Sequence, residues 1–346
     1  MTLRDYVIAQ INHEETDFLP YEFASEGEVM FDHLTEYYGS AEWKEKFVWP
    51  LFNKSPLFFD TWNVWKDFDP NDPSQKVDPW GCRWTSNGIV HHLDRPGMYN
   101  VEPEDYKWPE LSDFWWEERE KTLKLWNDSI SDDKFSIAYL GAGHWELSWR
   151  QLTVEEALVM CMVEPERFDF IIEKIDELIN QFADILIKTR ADAIYIADDW
   201  CDQRTCTMGP ERWRRFIKPR LAKLYKKIHD SGKYVINHVC GNVTPLIPDL
   251  IEIGLDVLQS VQPEAMDVYE VKRLYGDKIT FYGGVGMQRL IPFGTPDEIR
   301  AEIRKLRLEM GKGGGYILAP AKPFYKTLPI ENYAAAYEAF VEENVI

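Results

Sequence analysis

From about residue 134 onward, short apolar runs alternate with amphipathic stretches of helical period. The runs lie at 136–140, 193–197, 234–237, 256–259, 279–282 and 316–318, and they are rich in Ile, Val, Leu and Tyr. Runs of this length and composition, bounded by turn residues, predict strands buried on both faces. The stretches between them carry helix start signals. Thr153-Val154-Glu155-Glu156 reads as a capping box, in which hydroxyl and carboxylate satisfy each other's backbone donors. Thr295-Pro296-Asp297-Glu298 does the same with proline at the first helical position, where a missing N–H costs nothing. Gly254 and Gly311 fall where helices should stop. Repeated β–α units predict a parallel sheet.

The first part of the chain has a different pattern. Residues 2–11, 26–38 and 115–130 predict helices, and 48–112 reads as irregular with short strands. That stretch is broken by Asp69-Pro70-Asn71-Asp72-Pro73, Asp78-Pro79-Trp80-Gly81 and Arg95-Pro96-Gly97. Ten of the 14 tryptophans precede residue 131, which marks an aromatic cap rather than more β–α units.

An open dinucleotide-binding sheet should carry a glycine-rich loop after its first strand. No G-x-G-x-x-G is present, and Gly141-Ala142-Gly143-His144 matches it poorly. Polar residues or glycines instead follow nearly every run: Asp198 and Asp199, His238 and Cys240, Gln259 and Gln262, Gly283 and Gly284, then Lys322. In a (β/α)8 barrel all of these converge on the C-terminal mouth, where active sites sit. The expected architecture is therefore α/β: a TIM barrel with an N-terminal helical and aromatic cap. A single domain spans 1–346, with 1–130 giving the cap and first strands and 131–346 most of the β/α units.

Composition narrows the function. The 346 residues carry 39 basic and 59 acidic side chains, a net charge of −20. Nucleic acid and anionic membrane surfaces would be repelled, so neither is an expected partner. No apolar run approaches the roughly 18 residues of a membrane span, and the start, Met1-Thr2-Leu3-Arg4-Asp5-Tyr6, has no signal-peptide layout. A cytoplasmic location is the expectation. Five cysteines (82, 161, 201, 206 and 240) are too few, and odd in number, for a disulfide framework.

Several ordered motifs carry a family resemblance. They are Asn237-His238-Val239-Cys240-Gly241-Asn242-Val243, Ala197-Asp198-Asp199-Trp200 with Met208-Gly209-Pro210-Glu211, Phe281-Tyr282-Gly283-Gly284-Val285, and Gly313-Gly314-Gly315-Tyr316-Ile317-Leu318-Ala319-Pro320. Asp17-Phe18-Leu19-Pro20 and Asp78-Pro79-Trp80-Gly81 fit as well. Together they resemble the uroporphyrinogen decarboxylase superfamily, in its corrinoid-dependent methyltransferase branch. The resemblance implies a barrel without an organic cofactor of its own, working with a separate corrinoid protein. The decarboxylase itself has an arginine-rich motif near its N-terminus. Segment 12–22 here holds His13, Glu14, Glu15, Asp17 and Glu22 and no arginine, so a polycarboxylate porphyrinogen is not the expected substrate.

The same resemblance implies zinc on a His-x-Cys pair and a third cysteine after the last strand. His238 and Cys240 match the pair, and residues two apart at a strand end point the same way. Imidazole and thiolate suit zinc. The third position departs from the pattern: Ala319-Pro320-Ala321-Lys322-Pro323 offers no ligand, and a protonated lysine repels a dication. Glu146, His144, Asp199, Cys201 and Cys206 are the candidate replacements.

Asp198 and Asp199 form a second candidate group, in which one carboxylate could raise the pKa of the other and make it a proton donor. Catalytic candidates are thus Asp199, Asp198, Glu146 and Lys322, with Lys322 suited to a substrate carboxylate or phenolate. Trp200, Tyr282, His144 and Gly283 are substrate-binding candidates. Trp62, Trp65, Trp80, Trp84 and Phe324 could add an apolar slot, although each aromatic also suits ordinary core packing. The expected reaction moves a methyl group from a small methylated compound, for example a methoxylated aromatic, to the corrinoid of the partner. The alternatives are decarboxylation of a small aromatic or heterocyclic acid, and non-catalytic binding of a corrinoid or tetrapyrrole. A homodimer is the assembly considered.

Overall fold

The computed structural model describes residues 1–24, 29–46, 52–55, 66–69, 71–86 and 91–342. Its strands are β1 (Phe52–Lys54), β2 (Lys66–Asp69), β3 (Asp72–Val77), β4 (Arg83–Ser86), β5 (His91–Arg95), β6 (Phe135–Ala142), β7 (Ala193–Ala197), β8 (Tyr234–His238), β9 (Val257–Val261), β10 (Thr280–Val285) and β11 (Tyr316–Pro320). Seven of these form one parallel sheet in the order β1-β6-β7-β8-β9-β10-β11. An eighth stave comes from the N-terminal segment. Tyr21 bridges Leu318 in parallel, the Glu22 amide donates to the Leu318 carbonyl at 2.8 Å, and the Leu318 amide donates to Pro20 at 3.0 Å. An ion pair between Lys54 and Glu22 ties the two ends of the series together. The fold is the expected (β/α)8 barrel.

Strand periodicity sorts the core into two compartments. Phe135, Ile137, Tyr139, Ala193, Ile236, Val257, Tyr282 and Ile317 point into the barrel. Their neighbours, among them Ile194, Ile196, Val235 and Leu258, face the surrounding helices. The helix Leu3–Ile11 packs Val7 and Ile11 against the inner cluster. Thr2 caps that helix, accepting from the Asp5 amide at 3.1 Å. Outside, the helix Pro165–Leu186 buries Ile171, Ile175, Ile179 and Phe182, a stripe at helical spacing.

The start signals have mixed outcomes. Thr295 closes a full capping box with Glu298. Thr153 accepts from the Glu156 amide at 3.1 Å, with its own φ at 147°. Gly254 takes φ 87°, which its lack of a Cβ allows, whereas Gly311 stays right-handed at −72°. The helix expected over 26–38 is observed as Val29–Tyr38, with 25–28 outside the described residues, and that over 115–130 as Glu117–Asp128.

The stretch read as irregular contains an antiparallel sheet, β2-β3-β4-β5. Its strands are polar, and polar strands give the weak alternation that hides a sheet from sequence reading. Asp78 fixes its base: it accepts from the Cys82 amide at 3.0 Å and from the Trp84 indole at 2.8 Å. Burial pushes the Asp78 carboxyl up to about 6, against the pull of those donors. The Gly97 and Met98 amides donate to Arg150 and Gln151 of the barrel at 3.2 and 2.9 Å, which docks the cap. Among the described residues no helix is long and apolar enough to cross a membrane.

Candidate metal centre

The inward register of β8 carries Ile236 and then His238 into the barrel, and Cys240 follows two residues on. His238 Nε2 lies 3.2 Å from Cys240 Sγ. The inward register of β7 runs 193, 195, 197, 199, so Asp199 reaches the same place. Its Oδ1 is 3.5 Å from His238 Nε2 and accepts from the Cys240 amide at 2.9 Å. Among the described residues, Asp199, His238 and Cys240 bring their ligand atoms within 4.8 Å of one another.

The imidazole is oriented from behind. Its Nδ1–H donates to Gln259 Oε1, which also accepts from the Tyr195 hydroxyl at 3.0 Å. Because the amide oxygen only accepts, this bond puts the proton on Nδ1 and leaves the Nε2 lone pair facing Cys240 and Asp199. Burial lowers the His238 pKa, partly opposed by Asp199, which favours the neutral ring a metal needs. Burial also pushes the Cys240 thiol up to about 11, with Asp199 adding to the shift and Lys322 opposing it. Asp199 behaves differently. Burial works against its charge, but His238, the Cys240 amide and Lys322 outweigh that and hold its carboxyl below the usual range.

The donor set fits zinc. Tetrahedral zinc with bonds of about 2.0–2.3 Å needs ligand edges of roughly 3.4–3.6 Å. The observed 3.2 and 3.5 Å edges lie close to that. Three protein ligands would leave a fourth position for substrate, as catalytic zinc sites do.

Lys322 complicates the site. Its Nζ is 3.5 Å from His238 Nε2, and it hydrogen-bonds Cys240. Burial disfavours its charge, yet Cys240 and Asp199 outweigh that and raise its pKa. An ammonium so placed contends with a metal for the same donors. Charges at this range interact by about 4 kcal/mol near a protein surface, and the exposed, flexible lysine stem can relieve much of that. We expect Lys322→Met to tighten zinc binding about tenfold, read by competition with a chromophoric chelator. Unchanged or weaker binding would show that the ammonium does not contend.

Other expected site residues lie elsewhere. Asp198 cannot share a proton with Asp199, because adjacent strand residues face opposite sides. It is fully buried and accepts from the Trp145 amide at 3.0 Å, the Glu146 amide at 2.8 Å and the Trp200 indole at 2.6 Å. Burial, not Asp199, pushes its carboxyl up to about 7. His144 is also fully buried, with Nε2 2.7 Å from Asp176, and stands apart from the mouth. Trp200 is sealed between Asp198 and Trp213 rather than presented to a substrate. Gly283 serves chain packing: at φ 137° a Cβ would meet the Val261 amide nitrogen at 2.8 Å. Glu146 keeps a place near the site. It pairs with Arg150 at 2.5 Å, and its charge acts on both His238 and Lys322. Cys201 and Cys206 face each other across a turn. Trp80 is buried, Trp84 is held by Asp78 and Phe324 packs tilted against Phe23, so these do not form the slot; Trp62 and Trp65 lie outside the described residues.

Tyr282 does line the barrel interior, together with residues the sequence reading passed over. Its hydroxyl hydrogen-bonds Glu22, which pairs with Lys54. Tyr139 packs on Tyr195 with centroids 4.6 Å apart, and Tyr195 reaches His238 through Gln259. Counting alternate residues back from Asp199 reaches Tyr195, and Gln259 already stands among the polar residues that follow the apolar runs.

The model of the uroporphyrinogen decarboxylase (URO-D) family matches residues 140–342, more than half of the chain. The chain belongs to the uroporphyrinogen decarboxylase family. Curated relatives of this family member include methyltransferases and decarboxylases. A methylcobamide:CoM methyltransferase MtaA of Methanosarcina barkeri is 27% identical over 188 residues, covering 54% of this chain and 52% of the relative. A uroporphyrinogen decarboxylase of Chlorobium phaeobacteroides is 24% identical over 153 residues, covering 43% and 40%. The chain thus spans about half the length of the curated relatives it matches. Among solved structures, a methyltransferase from Methanosarcina mazei superposes with a TM-score of 0.70 at 19% identity, covering 99% of both chains, and so shares the whole fold of this URO-D member.

Proposed function

We propose that this chain transfers a methyl group from a small methylated compound to the corrinoid of a separate protein, at a metal held by Asp199, His238 and Cys240. The observation that carries the reading is the meeting of those three ligand atoms within 4.8 Å at the barrel mouth. The relative named as a methylcobamide:CoM methyltransferase supports methyl exchange between a corrinoid and a small compound, although its name gives the transfer in the opposite sense. Bound zinc would supply Lewis acidity toward the heteroatom bearing the methyl group.

The chain's own residues do the rest. Gln259 and Tyr195 fix the His238 ring. The Tyr139, Tyr195 and Tyr282 wall keeps water from the reacting end of the substrate. Lys322, exposed beside His238, offers a cation to an anionic leaving oxygen or to a substrate carboxylate. Asp199 stays ionised at neutral pH and is a poor proton donor, which weighs against the decarboxylation alternative, in which it would return the proton.

The test mixes the purified zinc-loaded protein with free cobalamin reduced to Co(I) and a panel of methoxylated aromatics and methyl thioethers. The expected result is a methylcobalamin spectrum with at least one donor and none with His238→Ala. Release of carbon dioxide from an aromatic acid, with no methylcobalamin from any donor, would replace this reading with decarboxylation.

A further inference from the structure

Outside the proposed metal ligands, Cys201 and Cys206 meet as a pair of thiols. The segment after Asp199 doubles back on itself: the Asp202 amide donates to the Thr205 carbonyl at 2.9 Å and the Thr207 amide to the Trp200 carbonyl at 2.8 Å. That pattern makes Cys201 and Cys206 directly opposed, as a narrow antiparallel pair without hydrogen bonds between the two residues themselves. Such pairs have Cα atoms about 4.5 Å apart, within the roughly 4.4–6.8 Å a disulfide spans. Both thiols are free, and they hydrogen-bond to each other. They are buried, but the tip above them, Asp202 to Thr205, is exposed throughout.

The hairpin also lies against the candidate metal site at its start and its tip. It begins two residues after Asp199. Its Asp202 carbonyl accepts from the Asn242 amide at 2.7 Å, and a Cβ on Gly241 would lie 2.3 Å from that same oxygen. It therefore rests on the turn that follows Cys240.

We propose that Cys201 and Cys206 are a redox-active dithiol that closes to a disulfide by exchange with a small-molecule disulfide. One cysteine thiolate attacks the small disulfide, forming a mixed disulfide and releasing one thiol. The second thiolate attacks the protein-side sulfur, closing the Cys201–Cys206 bond and releasing the other thiol. The chain gives up two protons and two electrons, and the small disulfide is reduced to two thiols. Closure cross-links the hairpin that starts beside Asp199 and rests on the Gly241 turn. The proposal goes beyond the methyl-transfer reading and does not depend on it.

The experiment exposes the full chain, reduced and freed of metal by a chelator, to glutathione disulfide. The protein is then denatured, alkylated and mapped by mass spectrometry. The expected product has lost two hydrogens, joins the peptides holding 201 and 206, and leaves Cys82, Cys161 and Cys240 open to alkylation. In Cys206→Ser the reaction stops at a glutathione adduct on Cys201. Five alkylatable thiols after exposure, or an adduct on Cys240 with 201 and 206 untouched, would overturn the proposal, and the wild-type map decides this whether or not the variant folds. Cobalt(II) added afterwards gives a second readout. Oxidised protein should still show thiolate-to-cobalt absorption from Cys240; loss of that band only after oxidation would mean that Cys240 had been consumed and would count against the pair. Absence of the band before and after oxidation would instead strike the metal reading and leave the thiol map to judge the dithiol.

Discussion

His238→Ala and Cys240→Ala each weaken zinc binding by more than about 100-fold, while Gln259→Leu weakens it by about 10–100-fold. The ranking follows from position. Gln259 touches only the far side of the imidazole, and loss of such an outer partner typically costs about 10–100-fold in metal affinity. Removing a donor atom from a three-residue set must cost more than removing its support. Zinc stoichiometry by elemental analysis, with affinity from chelator competition, checks all three. Neither alanine variant should lose much stability, because both side chains sit at the open end of their strand, where His238 and Cys240 are only partly buried. Wild-type protein without zinc after purification in zinc-containing buffer, or variants that retain it, would defeat the assignment.

Asp198→Ala is expected to be among the most destabilising single changes in the chain, at about 3–5 kcal/mol. It would strand the Trp145 and Glu146 amides and the Trp200 indole in a fully buried place, and each unmet buried donor costs about 1–3 kcal/mol. Urea denaturation measures it. Asp198→Asn adds a pH signature. The folded carboxyl titrates near 7, above its unfolded value near 3.8, so the folded state holds the proton more tightly. Its contribution to stability is full below about pH 4 and is lost as pH rises through 7, by up to about 1.4 kcal/mol per unit. Asp78, pushed up to about 6, acts in the same sense over a shorter window. The slope of stability against pH between 4 and 7 should therefore be less negative in Asp198→Asn than in the wild type. Equal slopes would show that Asp198 is already ionised when buried.

The barrel was legible because β6 to β11 are buried on both faces, and burial of that kind leaves continuous apolar runs. All six runs read from the sequence became strands, with ends differing by no more than three residues. His238 and Cys240 could be paired for the same reason: two residues apart at a strand end is a fixed geometry. The cap was harder. Its sheet is built from strands such as Lys66–Asp69, whose polar residues carry no signal. The site residues misplaced by reading the sequence were misplaced for one cause. Asp198, His144 and Trp200 lie near Asp199 or β6 along the chain, but they point outward toward the helices, and closeness along the chain is not closeness in space. Gln259 reads as a mouth residue from the sequence, but its link to Tyr195 is hidden for the complementary reason. The two lie 64 residues apart and meet at 3.0 Å only when the staves are arranged around the barrel.

The outward Asp198 and the inward Asp199 make β7 intolerant of a one-residue change in length. Inserting or deleting one residue between Ala193 and Ala197 would turn the strand's tail by half a pleat and exchange the two carboxylates. The acid that anchors the helix start would swing into the lumen, and the acid proposed as a metal ligand would be driven into the packed shell. One indel would thus cost folding and metal binding together, whereas a substitution at either position alone damages chiefly one of them. In a natural or engineered series of such chains, β7 should accept side-chain exchanges and reject every odd-numbered shift in register.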